Sequence, residues 1–309
     1  MAGSDTGTTF NWHPLNADGT LGAATAITAG SRPRSPIFTP DGAFAYVLNM
    51  GAASISQFSV GADGALSPLA TPTIATGTDP SARAMTPDGR FLYVSNYTSN
   101  TIGAYAVGGD GQLRRVGTDI AVPAASAMTD LVVNPAGTVL YSVSRGTSIV
   151  RWHSIDQATG ALTLGGSVSV AADPVAAAIT PNGNTVYVAS YNAGKLSAFS
   201  VGTGGALTAG TVYTLATPLA PLVSPDGASL YVSVWANPAS VAQYSIGAGG
   251  ALTAKSPATL STGGVNGHLM AMGRGGQLLW VGNYGSGTVA QFSVASGGAL
   301  AARSPRPPR

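Results

Sequence analysis

Arg34 (in SRPRSP), Arg83 (DPSARAM), Asp130 (AMTDLV) and His268 (NGHLMAM) each stand a few residues ahead of a recurring turn-like segment of the Thr-Pro-Asp-Gly type. Arg145 (SRGTS), Tyr97 and Tyr191, Trp235 (VWANP) and Tyr284 (NYGSG) stand just behind the apolar run that follows such a segment. Charged residues are only 8% of the 309, so their return to two fixed places is informative. The three arginines can hold a carboxylate or phosphate through forked, charge-assisted hydrogen bonds. His268 can exchange a proton near neutral pH, and Asp130 can orient it or pair with an arginine. The aromatic residues offer flat apolar walls. The structural alternative is that Arg83 and Arg145 pair with Asp130 or Asp79 and only fill space.

Other chemistries find no residues. Cysteine and glutamate are absent, which removes disulfides, thiol nucleophiles and thiolate metal sites. His13 and His153 both follow Trp, in NWHPL and RWHSI, and take the slot held elsewhere by Phe58, Tyr105, Phe199, Tyr244 and Phe292, so they are expected in the core. The three histidines lack metal-site spacing, and no run of Asp resembles a calcium loop. There is no phosphate-loop string and no G-x-S-x-G elbow. No metal and no cofactor is expected.

The elements that carry these residues repeat. Thr39 to Asn49 reads TPDGAFAYVLN, Thr86 to Asn96 TPDGRFLYVSN, Thr180 to Ser190 TPNGNTVYVAS and Ser224 to Val234 SPDGASLYVSV, with worn copies at Asn134 (NPAGTVLYSVS) and Gly273 (GRGGQLLWVGN). A second cassette follows each, as in SQFSVGADGAL at Ser56 and SAFSVGTGGAL at Ser197. The turn glycines Gly42, Gly89, Gly137, Gly183, Gly227 and Gly276 are spaced by 47, 48, 46, 44 and 49 residues. Four strand-like runs in a period of about 45 residues point to a β-propeller rather than a solenoid. In the unit Thr78 to Pro123, ARAMT is strand A, PDG a tight turn, RFLYVSN strand B, NTIGAYAV strand C and LRRVGTDIAV strand D. Pro sets the first corner of the turn and Gly accepts its left-handed geometry.

PDGRFLYVSNYTSNTIGAYAVGGDGQL resembles the YVTN-type propeller repeat, and nearly the whole chain resembles the bacterial lactonase family of seven-bladed propellers. The resemblance implies an all-β ring in which D–A and B–C connections gather at one mouth of a central channel, with the nine residues above around it. In that family strand A is often preceded by Pro-x-His, and the site uses His, Arg and Glu. Here Ser35, Ala82, Asp130, Ala176 and Ala220 stand where the histidine would, and His268 matches with an offset of one residue.

There are six copies of the first cassette and seven of the second, so the expectation is seven blades within one domain, residues 1–302. The repeats fall at about 1–30 (partial), 31–77, 78–123, 124–171, 172–217, 218–262 and 263–302, before a Pro/Arg-rich tail at 303–309. The partial N-terminal blade supplies strands C and D only; a shortened start is the alternative. Its open edges would allow a monomer or a dimer. Without Arg303, Arg306 and Arg309 the body carries about −1, which gives no case for nucleic-acid binding. No apolar run is long enough to enter a bilayer. The lysine-poor, Thr/Ser/Gly-rich composition resembles an exported bacterial protein, whose signal would precede Met1. Three functions are open: binding of a small anionic or sugar-like ligand at the mouth, hydrolysis or formation of a lactone with His268 as acid or base, and a cell-surface scaffold.

Overall fold

The recurring Thr-Pro-Asp-Gly segment folds as a self-bonded hairpin corner. In its second copy Thr86 Oγ1 donates to Asp88 Oδ1 (2.6 Å) and accepts from the Phe91 N–H (3.0 Å). The Gly89 N–H donates to the Thr86 carbonyl (2.9 Å), and Gly89 has φ 74°, which glycine adopts without strain. The same bonds recur at Thr39–Asp41 and Thr180–Asn182. Each corner joins strand A to strand B, and the short polar side chain replaces hydrogen bonds that the turn cannot make with a ladder.

The computed structural model describes residues 2–3, 7–16, 18–123 and 126–303. Among them there is no α-helix, only strands, turns and four short 3-10 turns. Six antiparallel sheets run A-B-C-D in chain order, one for each copy of the corner. The A strands are Pro33–Phe38, Pro80–Met85, Met128–Val133, Pro174–Ile179, Pro218–Val223 and Gly267–Gly273. The B strands are Phe44–Asn49, Phe91–Asn96, Val139–Ser144, Thr185–Ser190, Ser229–Val234 and Leu278–Asn283. In repeat 2 strand D departs from expectation: it breaks into Leu113–Arg115 and Ile120–Ala121, both paired to strand C. Between them Gly117 turns at φ 58°, and Arg115 folds over the Tyr105 ring to reach Asp119.

The N-terminal sheet also differs from expectation. It has three strands, Ala2–Gly3, Thr9–Trp12 and Thr25–Thr28, where the sequence suggests two. The added two-residue strand pairs with Phe10 and Asn11 and covers an otherwise open edge. Phe10 buries its ring edge-on against Phe58, 5.8 Å between centroids. The tail beyond Arg303 lies outside the described residues.

The chain divides into two compact units, residues 1–147 with 151–166, and 148–150 with 167–309. Within each, the core is built between consecutive sheets. Tyr46, Leu48 and Ile55 of repeat 1 pack with Leu92, Val94 and Tyr105 of repeat 2. Tyr231 and Val241 of repeat 5 pack with Leu279, Val281 and Phe292 of repeat 6. Strand B of repeat 2 is buried on both faces because one face meets repeat 1 and the other repeat 3, and a buried side chain of this size contributes about 2–3 kcal/mol. The strand B tyrosines also lock register: Tyr46 donates to the Gly111 carbonyl (2.7 Å), Tyr93 to Gly160 (2.9 Å), Tyr187 to Gly250 (2.8 Å) and Tyr231 to Gly298 (2.6 Å). A Cβ at Gly160 would lie 2.3 Å from the Phe91 ring, so the tyrosine's acceptor must be glycine.

Candidate functional site

One backbone device recurs at the start of every strand A. The residue just before it is left-handed: Arg32 (φ 54°), Asp79 (56°), Ala127 (45°), Asp173 (61°), Thr217 (43°) and Asn266 (58°). None is glycine, so each conformation costs about 1–2 kcal/mol that surrounding contacts must offset. One offset is common to all. The carbonyl of each accepts the N–H of the residue just past strand B: Met50 (3.1 Å), Tyr97 (2.8 Å), Arg145 (3.2 Å), Tyr191 (2.9 Å), Trp235 (3.1 Å) and Tyr284 (2.9 Å). The five B–C residues singled out from the sequence are therefore one structural position seen five times, and Met50 is the sixth.

Strand A itself is bulged near its start in all six repeats. A bulge re-aims the side chains around it, and the candidate residues sit there: Arg34 and His268 second in the strand, Asp130 third, Arg83 fourth. They belong to strand A and not to the connection before it. In repeats 2 and 5 a strand B serine hydroxyl holds the bulge. Ser95 accepts from the Ala82 N–H (3.1 Å), and Ser233 accepts from the Ala220 N–H (3.1 Å) while donating to the His268 carbonyl (2.6 Å).

In the first unit, Arg83 spends Nε and Nη2 on the Pro36 carbonyl (3.2 and 3.1 Å), bridging the A strands of repeats 1 and 2. Desolvation lowers its pKa, and the charge of Asp130 opposes that effect, so Arg83 and Asp130 are electrostatically coupled. Asp130 accepts from the Leu131 N–H (2.9 Å). Asp79 is taken by the Thr98 hydroxyl. Arg34 is half-buried, whereas Arg145 and Tyr97 are exposed at the post-strand-B position. Arg83 thus has a bracing role, and Arg145 is exposed.

In the second unit three candidate side chains meet. Trp235 and His268 pack edge to face (5.9 Å, 71°), Trp235 and Tyr284 are tilted by 32° at 5.8 Å, and His268 lies 6.1 Å from Tyr284. His268 and Tyr284 are exposed and Trp235 is half-buried, so the trio forms an open aromatic surface with one imidazole in it. Such a surface can take the apolar face of a sugar ring while the imidazole bonds or shifts a proton. Tyr191 holds the equivalent place in repeat 4 and is half-buried, with no ring contact to the trio among the described residues.

His153 is in the core as expected (2% exposed), whereas His13 is half-buried rather than in the core and bonds the Gly22 carbonyl at 3.0 Å. Among the described residues no group of three His, Asp or other metal-ligating residues comes together. Sequence reasoning missed the left-handed residues and Met50. Aligning the strand B ends would have found Met50; the left-handed residues share no type, so only their fixed distance from strand A could have marked them.

A family model described as lactonase, 7-bladed beta-propeller, matches residues 2–167, 121–218 and 205–306. No curated protein matches the chain. Among solved structures, a "putative 6-phosphogluconolactonase" from Bacteroides fragilis NCTC 9343 is similar with TM-score 0.79 at 22% identity, over 92% of this chain and 86% of that one. The periplasmic gluconolactonase of Pseudomonas aeruginosa is similar with TM-score 0.78 at 20% identity, over 92% and 87%. A functionally unknown protein of Desulfotomaculum acetoxidans follows with TM-score 0.75 at 17% identity, over 90% and 86%. At these identities the likeness speaks for the β-propeller fold.

Proposed function

Because the chain belongs to the lactonase family of β-propellers, we propose that it binds a sugar lactone or the corresponding sugar acid at the strand A and post-strand-B positions of repeats 5 and 6. The observation that carries this is the trio Trp235, His268 and Tyr284, whose ring centroids lie 5.8–6.1 Å apart on an exposed surface. Aromatic faces stack on the C–H side of a pyranose ring, and the imidazole is within reach of its hydroxyl or ring-carbonyl oxygens. The first unit, taken by itself, carries exposed Arg145 and half-buried Arg34, residue types suited to a carboxylate or phosphate. Titration with gluconate and 6-phosphogluconate, followed by calorimetry and tryptophan fluorescence, tests this. Saturable binding weakened about tenfold or more by Trp235→Ala, the order of an aromatic contact, supports it; no saturation by either acid overturns it.

Turnover is a second reading, favoured by an imidazole set between two aromatic rings. His268 would take a proton from water as it attacks the lactone carbonyl, and the ring oxygen leaves as the hydroxyl of the acid. Lactone opening above the spontaneous rate, followed by pH-stat and lost in His268→Ala with sugar-acid binding retained, is the expected result. An unchanged rate in His268→Ala removes His268 from that role.

The three-stranded N-terminal sheet, counted with the six A-B-C-D sheets, makes seven, the number in the family's description. We take it as the seventh blade. Export is part of the same reading, supported by the periplasmic location of one similar protein; among the described residues no helix is long and apolar enough to cross a membrane.

A further inference from the structure

The third residue of strand C is small in five repeats: Ser56, Gly103, Ser197, Ala242 and Ala290. Repeat 3 puts Arg151 there, in Ile149–Ile155, and buries it to 5% exposure. Its Nη1 donates to Ser144 Oγ at 2.8 Å, and it forms no ion pair with a carboxylate among the described residues. A guanidinium has five N–H donors and keeps its proton. Buried without a counter-charge, it is among the most costly groups a core can hold.

Its surroundings are also incompletely bonded. Alternation along strands B and C places Ser142, Ser144, Arg151 and His153 on one face of the sheet, the face that carries Leu140 and Ile155 against Phe91, Tyr93 and Ile102. His153 Nε2 lies 3.3 Å from Ser142 Oγ, and its buried Nδ1 has no partner. Thr147 Oγ1, in the connection leaving strand B, is likewise buried and unpartnered. Burial, then the charge of Arg151, lowers the His153 pKa to about 4, so the imidazole is neutral at neutral pH and adds no second cation.

A buried polar group left without partners calls for a water or an ion. Water would complete hydrogen bonds and leave the charge uncompensated; an anion does both. The core on the same face, Leu140 and Ile155 against Phe91, Tyr93 and Ile102, is at most 5% exposed, and a single-atom anion needs less room there than an oxyanion. We propose that Arg151, flanked by Ser144 and His153, forms an internal binding site for one halide-type anion. The site stands apart from the aromatic trio and does not depend on the sugar-acid reading. Ser144 directly precedes Arg145, so the occupied site holds the connection that carries Arg145.

Crystals soaked in sodium bromide, with data collected at the bromine absorption edge, should show an anomalous peak within hydrogen-bonding distance of the Arg151 guanidinium. In halide-free buffer, sodium chloride should raise the melting temperature over sodium methanesulfonate of equal ionic strength, by about 5 °C at a hundredfold excess over Kd. Arg151→Ser, the residue of repeats 1 and 4, should abolish that difference. No bromide peak at Arg151, or a chloride-specific rise of equal size in Arg151→Ser, overturns the proposal. The diffraction result on the unaltered protein decides the matter if the variant fails to fold.

Discussion

Asp88 closes the A–B corner of repeat 2, and its carboxyl titrates at about 2. Burial pushes it up, but hydrogen bonds from Thr86 and Arg90, with the Arg90 charge, outweigh that. Asp41 and Asp226 are lowered as well, chiefly by the hydroxyls of Thr39 and Ser224. A carboxyl with a lower pKa in the fold than in the unfolded chain adds stability that is present above the unfolded value. That stability drains away as pH falls through the folded one. The melting temperature should therefore hold above pH about 5 and fall between about 4 and 2. Asp88 is 43% exposed as a side chain, so its share after solvent screening is at most about 1 kcal/mol. Repeat 4 already carries the relevant substitution: Asn182 makes the same bond to Thr180 at 2.7 Å. Asp88→Asn should lose under about 1 kcal/mol at neutral pH and shrink the acid-side fall, as urea melts at two pH values would show. Equal loss at both pH values would contradict this.

At the scale of elements, the left-handed residue before strand A is where the fold carries strain. Asp and Asn tolerate that geometry at Asp79, Asp173 and Asn266, but Ala127 at φ 45° has no side-chain help. Ala127→Gly should raise unfolding stability by about 1 kcal/mol in chemical denaturation, and Ala127→Val should lower it by at least as much. A destabilising Ala127→Gly would mean that the conformation is not what limits this position. The same feature shows what the sequence could convey. Strand B and the A–B corner were legible because their causes are local: alternating apolar residues, then Pro, Asp and Gly in fixed order. RFLYVSN became Phe91–Asn96 and NTIGAYAV became Thr101–Val107. The bulges of strand A were not legible, since they recur in all six repeats while the strand B serine that bonds them stands only in repeats 2 and 5, as Ser95 and Ser233. The contact of Trp235 with His268 joins two repeats, so no spacing within one repeat could reveal it. The Ala2–Gly3 strand is too short to carry a pattern, and the break in the second strand D depends on Arg115 preferring Asp119 and the Tyr105 ring.

At the scale of the whole molecule, tyrosine does the work that charged pairs do elsewhere. Seven of the eleven tyrosines have raised pKa values, with burial the largest cause in each: Tyr46, Tyr93, Tyr105, Tyr141, Tyr187, Tyr231 and Tyr244. For Tyr105 and Tyr141 the value is pushed up to about 12. Tyr46, Tyr93, Tyr187 and Tyr231 also donate the hydroxyl proton to the next repeat, so ionisation would break the lock as well as bury a charge. The sign is opposite to that of the aspartates. Stability is intact below the unfolded value near 10 and is lost as pH rises from there toward the folded values, because the unfolded chain releases protons that the fold retains. Tyr46, Tyr93, Tyr105, Tyr141 and Tyr187, the furthest raised, each contribute a slope of about 1.4 kcal/mol per pH unit, so together they approach roughly 7 kcal/mol per unit, comparable to the whole stability of a typical domain. The β-sheet circular dichroism should therefore collapse within about one pH unit above 10, and most phenolate absorbance should develop in that same step. Tyr93→Phe should weaken the fold at neutral pH by about 1–2 kcal/mol, since the Gly160 carbonyl loses its donor, yet reduce the alkaline slope. Most phenolate signal arising near pH 10 while the dichroism persists would show that these hydroxyls reach water in the folded chain, and that the tyrosine-to-glycine links do not hold consecutive repeats together.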